Sequence, residues 1–264
     1  MSKMALISGG SSGIGYSLSR YFAKAGYTLL WVSLLPEEIE ASKKKLRQEI
    51  EGCTIHALVE DLSITNAVHN VHQWVTKNEW DIDVLVNNAG FGTYGYLNNT
   101  PPGKELKMVH LHVVCVYEMT KLFLKDMTNK NKGTIINISS NSSFQPTPKL
   151  STYGATKAFV THFSRSVNEE LKMQQSKVKV ICVCPAAIEN TNFKKSGNME
   201  KVRTFQGIAA TTVEEVASDI WKGFSSGKDF IISGRKMRML YRISGLLPYR
   251  FQQFLVRKEI KEIA

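Results

Sequence analysis

The chain has no uncharged apolar run approaching the roughly 18 residues that span a bilayer, so a transmembrane protein is not expected. Its first ten residues, MSKMALISGG, hold no long apolar segment ending in a small-residue cleavage site, and export is not expected either. Its four cysteines (Cys53, Cys115, Cys182, Cys184) show no metal-ligand spacing, and no metal is expected. Cys182 and Cys184 stand two apart in the apolar run VKVICVCPA and so share one strand face, which suits reduced, buried thiols. Acidic residues are scarce, with 23 Asp and Glu against 34 Lys and Arg and a formal charge of +11. Such a balance fits nucleic acid, an anionic membrane surface, or an anionic cofactor and substrate. No aromatic-and-basic strand surface or nucleic-acid reading motif accompanies it, so nucleic acid is not expected as a partner.

The 264 residues, 43% apolar and 22% charged, have the composition of one soluble α/β domain. The charge is unevenly placed. Between Arg235 and Ala264 lie eight Lys or Arg against two Glu, leaving a local +6 in the last thirty residues. No repeat, low-complexity tract or proline-rich linker interrupts positions 1–234, so residues 1–234 are expected as one domain and 235–264 as a basic amphipathic extension. The expected location is the cytoplasm, with the extension able to rest on an anionic membrane surface.

Short runs rich in Ile, Val and Leu (MALIS, YTLLWV, TIHALV, DVLVN, GTIINIS, VKVICVC, DFIIS) alternate with longer segments of helical spacing. Strands apolar on both faces, separated by helices, predict a doubly wound parallel sheet of about seven strands with helices on both sides. After the first strand, SGGSSGIG places Gly9, Gly13 and Gly15 at the opening of a helix, whose free amides and partial positive charge suit a pyrophosphate. Tyr153 precedes Lys157 by four residues on a predicted helix, so phenol and ammonium share a face. A free phenol titrates near 10, and a neighbouring cation is one means of bringing it towards neutrality.

These features occur together with Asp61 and Leu62, NNAG at 87–90 and YGATK at 153–157, in an order and spacing that resemble the short-chain dehydrogenase/reductase family over about residues 3–234. The resemblance implies a Rossmann fold and hydride transfer between a nicotinamide and a secondary alcohol or ketone. It casts Tyr153 as acid or base, Lys157 as the cation that tunes it and holds the nicotinamide ribose, and Ser140, thirteen residues before Tyr153, as the hydroxyl that binds the substrate oxygen. It assigns cofactor contacts to Gly9, Ser11, Ser12, Gly13, Ile14 and Gly15 of the turn, to Asp61 and Leu62 beside the adenine, to Asn88, Ala89 and Gly90 beneath the ribose, and to Pro185, Ala186 and Ile188 beside the nicotinamide. It also implies a homodimer or homotetramer paired through helices at about 103–129 and 151–174.

The chain departs from the family pattern at three places, one of them a pair of residues. Ser33 and Leu34 end the second strand where an acid or an arginine usually selects the dinucleotide. With no acid before Glu37, and with Ser11, Ser12 and Ser33 able to donate hydrogen bonds, NADP(H) is expected and NAD(H) stays open. His112 stands where the family has an asparagine whose carbonyl holds a relay water. An imidazole titrating near neutrality is expected either to extend that relay or merely to pack within its helix. Ala186 replaces a glycine. Residues 191–211 form the expected substrate loop, whose Phe193 and Phe205 suit an apolar substrate. A nucleotide-binding module with little or no turnover is the competing reading.

Overall fold

The computed structural model describes residues 3–189, 191–205, 210–244 and 247–262. Seven strands, β1 (Met4–Ser8), β2 (Thr28–Ser33), β3 (Ile55–Val59), β4 (Val84–Asn87), β5 (Thr134–Ile138), β6 (Lys179–Cys184) and β7 (Phe230–Ile232), form one parallel sheet in the order β3-β2-β1-β4-β5-β6-β7. The chain starts in the middle, winds outwards to β3, and crosses back past β1 to β4. That reversal opens a crevice at the carboxyl ends of β1 and β4, the usual ligand position in such sheets.

Strand alternation divides the core in two. Ala5 and Ile7 face one layer, with Leu18 and Phe22 of α1 (Gly13–Lys24) and Val216 and Ile220 of α8 (Val213–Ser225). Leu6 faces the other, with Val71 of α3 (Ala67–Lys77) and Met119 and Phe123 of α5 (Val116–Asn129). Each fully buried side chain of this size contributes roughly 1.5–3 kcal/mol from desolvation. A further helix, α2 (Pro36–Glu49), covers the edge near β3, starting at a proline whose fixed φ suits a first helical turn. A chain of buried amides and a hydroxyl runs through the interior: the Asn87 amide donates to Asn137 Oδ1 at 2.8 Å, and Asn137 donates to Ser164 Oγ at 2.9 Å, tying β4, β5 and α6 (Ser151–Met173) together.

The helix expected at about 103–129 runs from α4 (Pro102–Val109) through a π-helical segment, His110–Cys115, into α5. A π turn shifts the register of the faces on either side of it. Here it turns Leu111, His112 and Cys115 inwards.

The basic extension folds back on the sheet domain. Helices α9 (Arg235–Ser244) and α10 (Tyr249–Glu259) follow β7, and a short α7 (Asn192–Ser196) precedes α8. The Tyr94 hydroxyl donates to Ile260 O at 2.7 Å, Arg203 N donates to Lys261 O at 3.0 Å, and Val202 pairs with Glu262 in an antiparallel bridge. Arg238 reaches Asp219 at 3.0 Å, and the rings of Phe144 and Tyr241 lie 4.4 Å apart. Among the described residues no helix is long and apolar enough to cross a membrane.

Candidate active site

At the crevice, β1 leads into the glycine turn and β4 into Asn88, and a buried serine joins them. Ser8 Oγ accepts from the amides of Asn88 and Ala89 at 2.9 and 3.0 Å, while the Asn88 side chain donates to Ser8 O at 2.9 Å. Gly15 is packed so tightly beneath this turn that an added Cβ would lie 2.1 Å from Gly9 O and 2.8 Å from Asn88 Nδ2. Ser12 precedes α1 without capping it, which leaves the first amides of that helix to whatever enters the crevice.

One cavity of about 1110 Å³ extends from this turn to the extension. Gly9, Ser12, Gly13, Ile14, Asn88, Ala89 and Gly90 line one end, His112, Ser140, Tyr153 and Lys157 the middle, and Pro185, Ala186 and Ile188 the wall after β6. Other expected cofactor residues lie outside its lining. Ser33 and Leu34 sit at the end of β2, with Leu34 56% exposed, and Ser11 of the glycine turn lies against Ser33. Asp61 is engaged locally, its Oδ1 accepting from Ser63 N at 2.9 Å, and Leu62 is buried in the core. Gly15 supports the turn from below.

The catalytic candidates converge. Ser140 and Ser139 end β5 with opposite orientations. Ser139 Oγ donates to Lys157 O at 2.7 Å and is a structural bond, whereas Ser140 Oγ lies 2.7 Å from Ser142 Oγ and accepts from Ser142 N at 3.2 Å, facing the cavity. Tyr153 opens partly to the cavity. Burial pushes its phenol up to about 12, opposed by hydrogen bonding from Ser140 and Ser142. Burial pulls the Lys157 ammonium down to about 8. Lys157 Nζ donates to Ile138 O at 2.9 Å and lies 5.9 Å from the centre of the Tyr153 ring. The cation is therefore anchored beside the phenol by a backbone carbonyl, and the protein groups together hold Tyr153 as a proton-bearing acid.

His112 is fully buried, and the expectation that it titrates near neutrality is corrected. Burial first, and the Lys157 charge second, hold it well below 6.5, so it is neutral. Its tautomer follows from its neighbours. The single hydroxyl proton of Thr156 is given to Tyr153 O at 2.8 Å, so Thr156 Oγ1 accepts from His112 Nδ1 at 3.1 Å. His112 Nε2 is thus a bare acceptor, with no hydrogen-bond partner among the described residues. It points at Gly90, whose added Cβ would lie 2.7 Å away. An unfolded chain binds a proton at this histidine below about pH 6.5 while the folded chain does not, so stability falls as pH drops through that range. His112→Asn is expected to flatten the fall in melting temperature between about pH 7.5 and about pH 5. Identical slopes for the two proteins would contradict the assignment.

Sequence reasoning missed three groups at the site. Ser142 and Thr156 are hydroxyl residues within runs of such residues, distinguishable only once β5 and α6 are in place. Glu38 lies on α2, and its Oε1 accepts from Ser11 Oγ at 2.5 Å, while Ser11 N donates to Ser33 Oγ at 3.4 Å. The sequence shows no acid before Glu37, and it is the course of α2 that brings Glu38 back over the turn. The far wall of the cavity was also unforeseen: Leu240, Tyr241, Leu255 and Val256 of the extension line it, Val256 belongs to the same apolar cluster as Tyr153, and Phe193 lies 5.1 Å from the Tyr153 ring.

The residues present fit a dinucleotide: an uncapped helix start, a glycine turn facing open space at Gly13, and a buried acceptor aimed at the cavity floor. The cavity exceeds the roughly 300–1,000 Å³ of a one-ligand site, leaving room for a second molecule.

Comparison with known proteins agrees with this geometry. A family model described as short chain dehydrogenase matches residues 3–201. Hydroxysteroid dehydrogenase-like protein 1 of Gallus gallus is 32% identical over 170 residues, 64% of this chain and 51% of that protein. Human 17-beta-hydroxysteroid dehydrogenase type 3 is 28% identical over 241 residues, 86% of this chain and 75% of that protein. The match to the chicken protein thus spans about half of its length. Among solved structures, a short-chain dehydrogenase from Sphingobium yanoikuyae in complex with NADPH superposes with a TM-score of 0.81 at 25% identity, covering 99% of this chain and 98% of that one. One from Burkholderia phymatum in complex with NAD gives 0.83 at 17% identity, covering 100% and 98%, a likeness of fold. With the glycine turn, the Asn88–Gly90 segment and the Ser140, Tyr153 and Lys157 cluster around one cavity, the chain belongs to the short chain dehydrogenase family.

Proposed function

We propose that this protein is a nicotinamide-dependent oxidoreductase that reduces a lipophilic ketone to a secondary alcohol. The observation that carries the proposal is the meeting of Ser140, Tyr153 and Lys157 midway along a cavity whose one end is the glycine turn and whose other end is apolar. When bound, the nicotinamide supplies the hydride. The chain's own groups handle the oxygen and the proton. The Ser140 hydroxyl, pinned by Ser142, holds the carbonyl oxygen, and Tyr153 gives that oxygen its phenolic proton. A phenol at about 12 carries that proton at neutral pH, which suits reduction. Lys157, held by Ile138 O, stands ready to stabilise the phenolate left behind. His112, neutral, offers Nε2 as an acceptor towards the cavity floor, a position from which it orders a proton-carrying hydroxyl or water rather than releasing a proton itself.

The walls describe the substrate class. Phe193, Phe205, Leu150, Leu240, Leu255 and Ile260 surround the end of the cavity away from the glycine turn, so a bulky apolar ketone is favoured over a small polar one. The test is oxidation of reduced cofactor by a panel of ketones of rising size. Turnover confined to bulky apolar ketones supports the proposal, and turnover confined to small polar ones contradicts it.

For the cofactor, Glu38 changes the balance drawn from sequence. Its carboxylate holds the Ser11 hydroxyl that was expected to receive a 2′-phosphate, and like charges repel. We therefore propose that NAD(H) binds at least as tightly as NADP(H). Glu38→Gln is expected to shift the ratio of NADPH to NADH affinity about ten-fold towards NADPH. An unchanged ratio in parallel fluorescence titrations would contradict the role given to Glu38.

Pairing of subunits through α5 and α6 is proposed on their outer face, where Phe159 stacks on Phe163 at 5.4 Å and Tyr117 lies 5.9 Å from Phe163.

A further inference from the structure

The extension presents an outer surface that the proposed reaction does not use. On α9, Lys236, Met239, Leu240 and Ile243 fall at i, i+3, i+4 and i+7, and on α10, Phe251, Phe254, Leu255 and Lys258 repeat that spacing. The six apolar members of these stripes are between 40% and 61% exposed. A helix that only caps a cavity needs its apolar side against the body, so an exposed apolar stripe on each helix calls for a contact. Leu240, Ile243 and Leu255 belong to both surfaces, being exposed and also lining the cavity. The outer apolar surface therefore continues over the rim into the site.

Charge identifies the contact. The two acids of the extension face cations of the body, Glu259 with Arg203 at 3.9 Å and Glu262 with Lys149 at 3.3 Å. Arg235, Lys236, Arg242, Arg250, Arg257 and Lys258 are exposed. Arg250 and Arg257, with Tyr249, Gln253 and Phe254, border a second hollow of about 300 Å³, enough for an anionic headgroup. A second copy placed symmetrically on this face would set these cations against their equivalents, whereas an anionic bilayer offers both opposite charge and hydrocarbon.

We propose that α9 and α10 dock on an anionic lipid surface, and that the ketone enters the cavity from the lipid across the Leu240, Ile243 and Leu255 rim. The entry route rests on the reading of the cavity as a ketone-reducing site, and the docking does not.

The experiment is sedimentation of the full chain with vesicles of phosphatidylcholine alone or with about one third phosphatidylglycerol. Binding is expected to the anionic vesicles and to fall with added salt. Arg250→Gln with Arg257→Gln should weaken it about thirty-fold, at roughly 1 kcal/mol per cation. Phe251→Ser with Phe254→Ser should also release the protein, with melting temperature and NADH affinity retained in both pairs. Turnover of a lipid-dissolved ketone should rise on adding anionic vesicles for the wild type and not for the variants, while a water-soluble ketone is turned over equally by all. Equal binding to both vesicles, or binding indifferent to both pairs of changes, overturns the docking. So does conversion of an oligomer to monomer by the Phe pair, which makes this face an interface between copies. Turnover of the lipid-dissolved ketone that anionic vesicles do not raise overturns the entry route, whereas retained docking with no ketone turnover in any arm counts against the oxidoreductase reading on which that route rests.

Discussion

Tyr153→Phe is expected to lower ketone reduction by roughly 10³-fold, within the range of about 10²–10⁴ for a positioned general acid, and to leave cofactor affinity within about two-fold. The substitution removes one oxygen from a ring that keeps its packing against Phe193 at 5.1 Å and His112 at 5.8 Å. Its effect should therefore fall on kcat and leave the melting temperature within about 2 °C. The phenol is the group on this wall that bears a proton at neutral pH and faces the cavity. Lys157 is turned to Ile138 O, Ser140 is engaged with Ser142, and His112 directs its one N–H to Thr156 Oγ1. Comparable kcat for the two proteins in steady-state assays would remove Tyr153 from the reaction and leave the cavity without a proton donor.

Gly15→Ala should abolish productive binding of the dinucleotide, weakening it at least about thirty-fold, and should cost about 2 kcal/mol of stability, typical of overpacking. The Cβ would meet Gly9 O at 2.1 Å, a backbone atom in the turn that lines the cavity, so no side-chain rotation relieves the clash. The turn or Asn88 must move, and Asn88 is tied to Ser8 at the end of β1. A fall in melting temperature of about 5 °C should accompany the loss. Gly103→Ala on α4, where an added Cβ meets nothing within 4 Å, is the control. Wild-type affinity and stability in Gly15→Ala would show that the turn is looser than drawn.

The sheet and its crevice were legible because parallel strands buried on both faces read as short apolar runs: MALIS coincides with β1, and β4 and β6 lie within DVLVN and VKVICVC. The Tyr153 and Lys157 pair was legible because helix geometry fixes i and i+4, and α6 spans both. What escaped reading depends on distance along the chain. Glu38 meets Ser11 across 27 residues, and only the path of α2 decides which acid returns. The Ile260 carbonyl meets Tyr94 across 166, so the basic extension could not be known as a wall of the cavity from its composition. The choice between the two readings of His112 was out of reach for a related reason: a histidine's ordinary pKa says nothing of complete burial, or of a threonine that fixes its tautomer.

Transfer of deuterium from the nicotinamide C4 of labelled NADH or NADPH to a bulky apolar ketone is the decisive observation for hydride transfer in this cavity. Label is expected on the carbinol carbon of the alcohol in wild type, and is expected to be lost in step with turnover in Tyr153→Phe. Tight binding of the dinucleotide with no label in any product, across the ketone panel, would contradict it and mark the chain as a nucleotide-binding module without turnover.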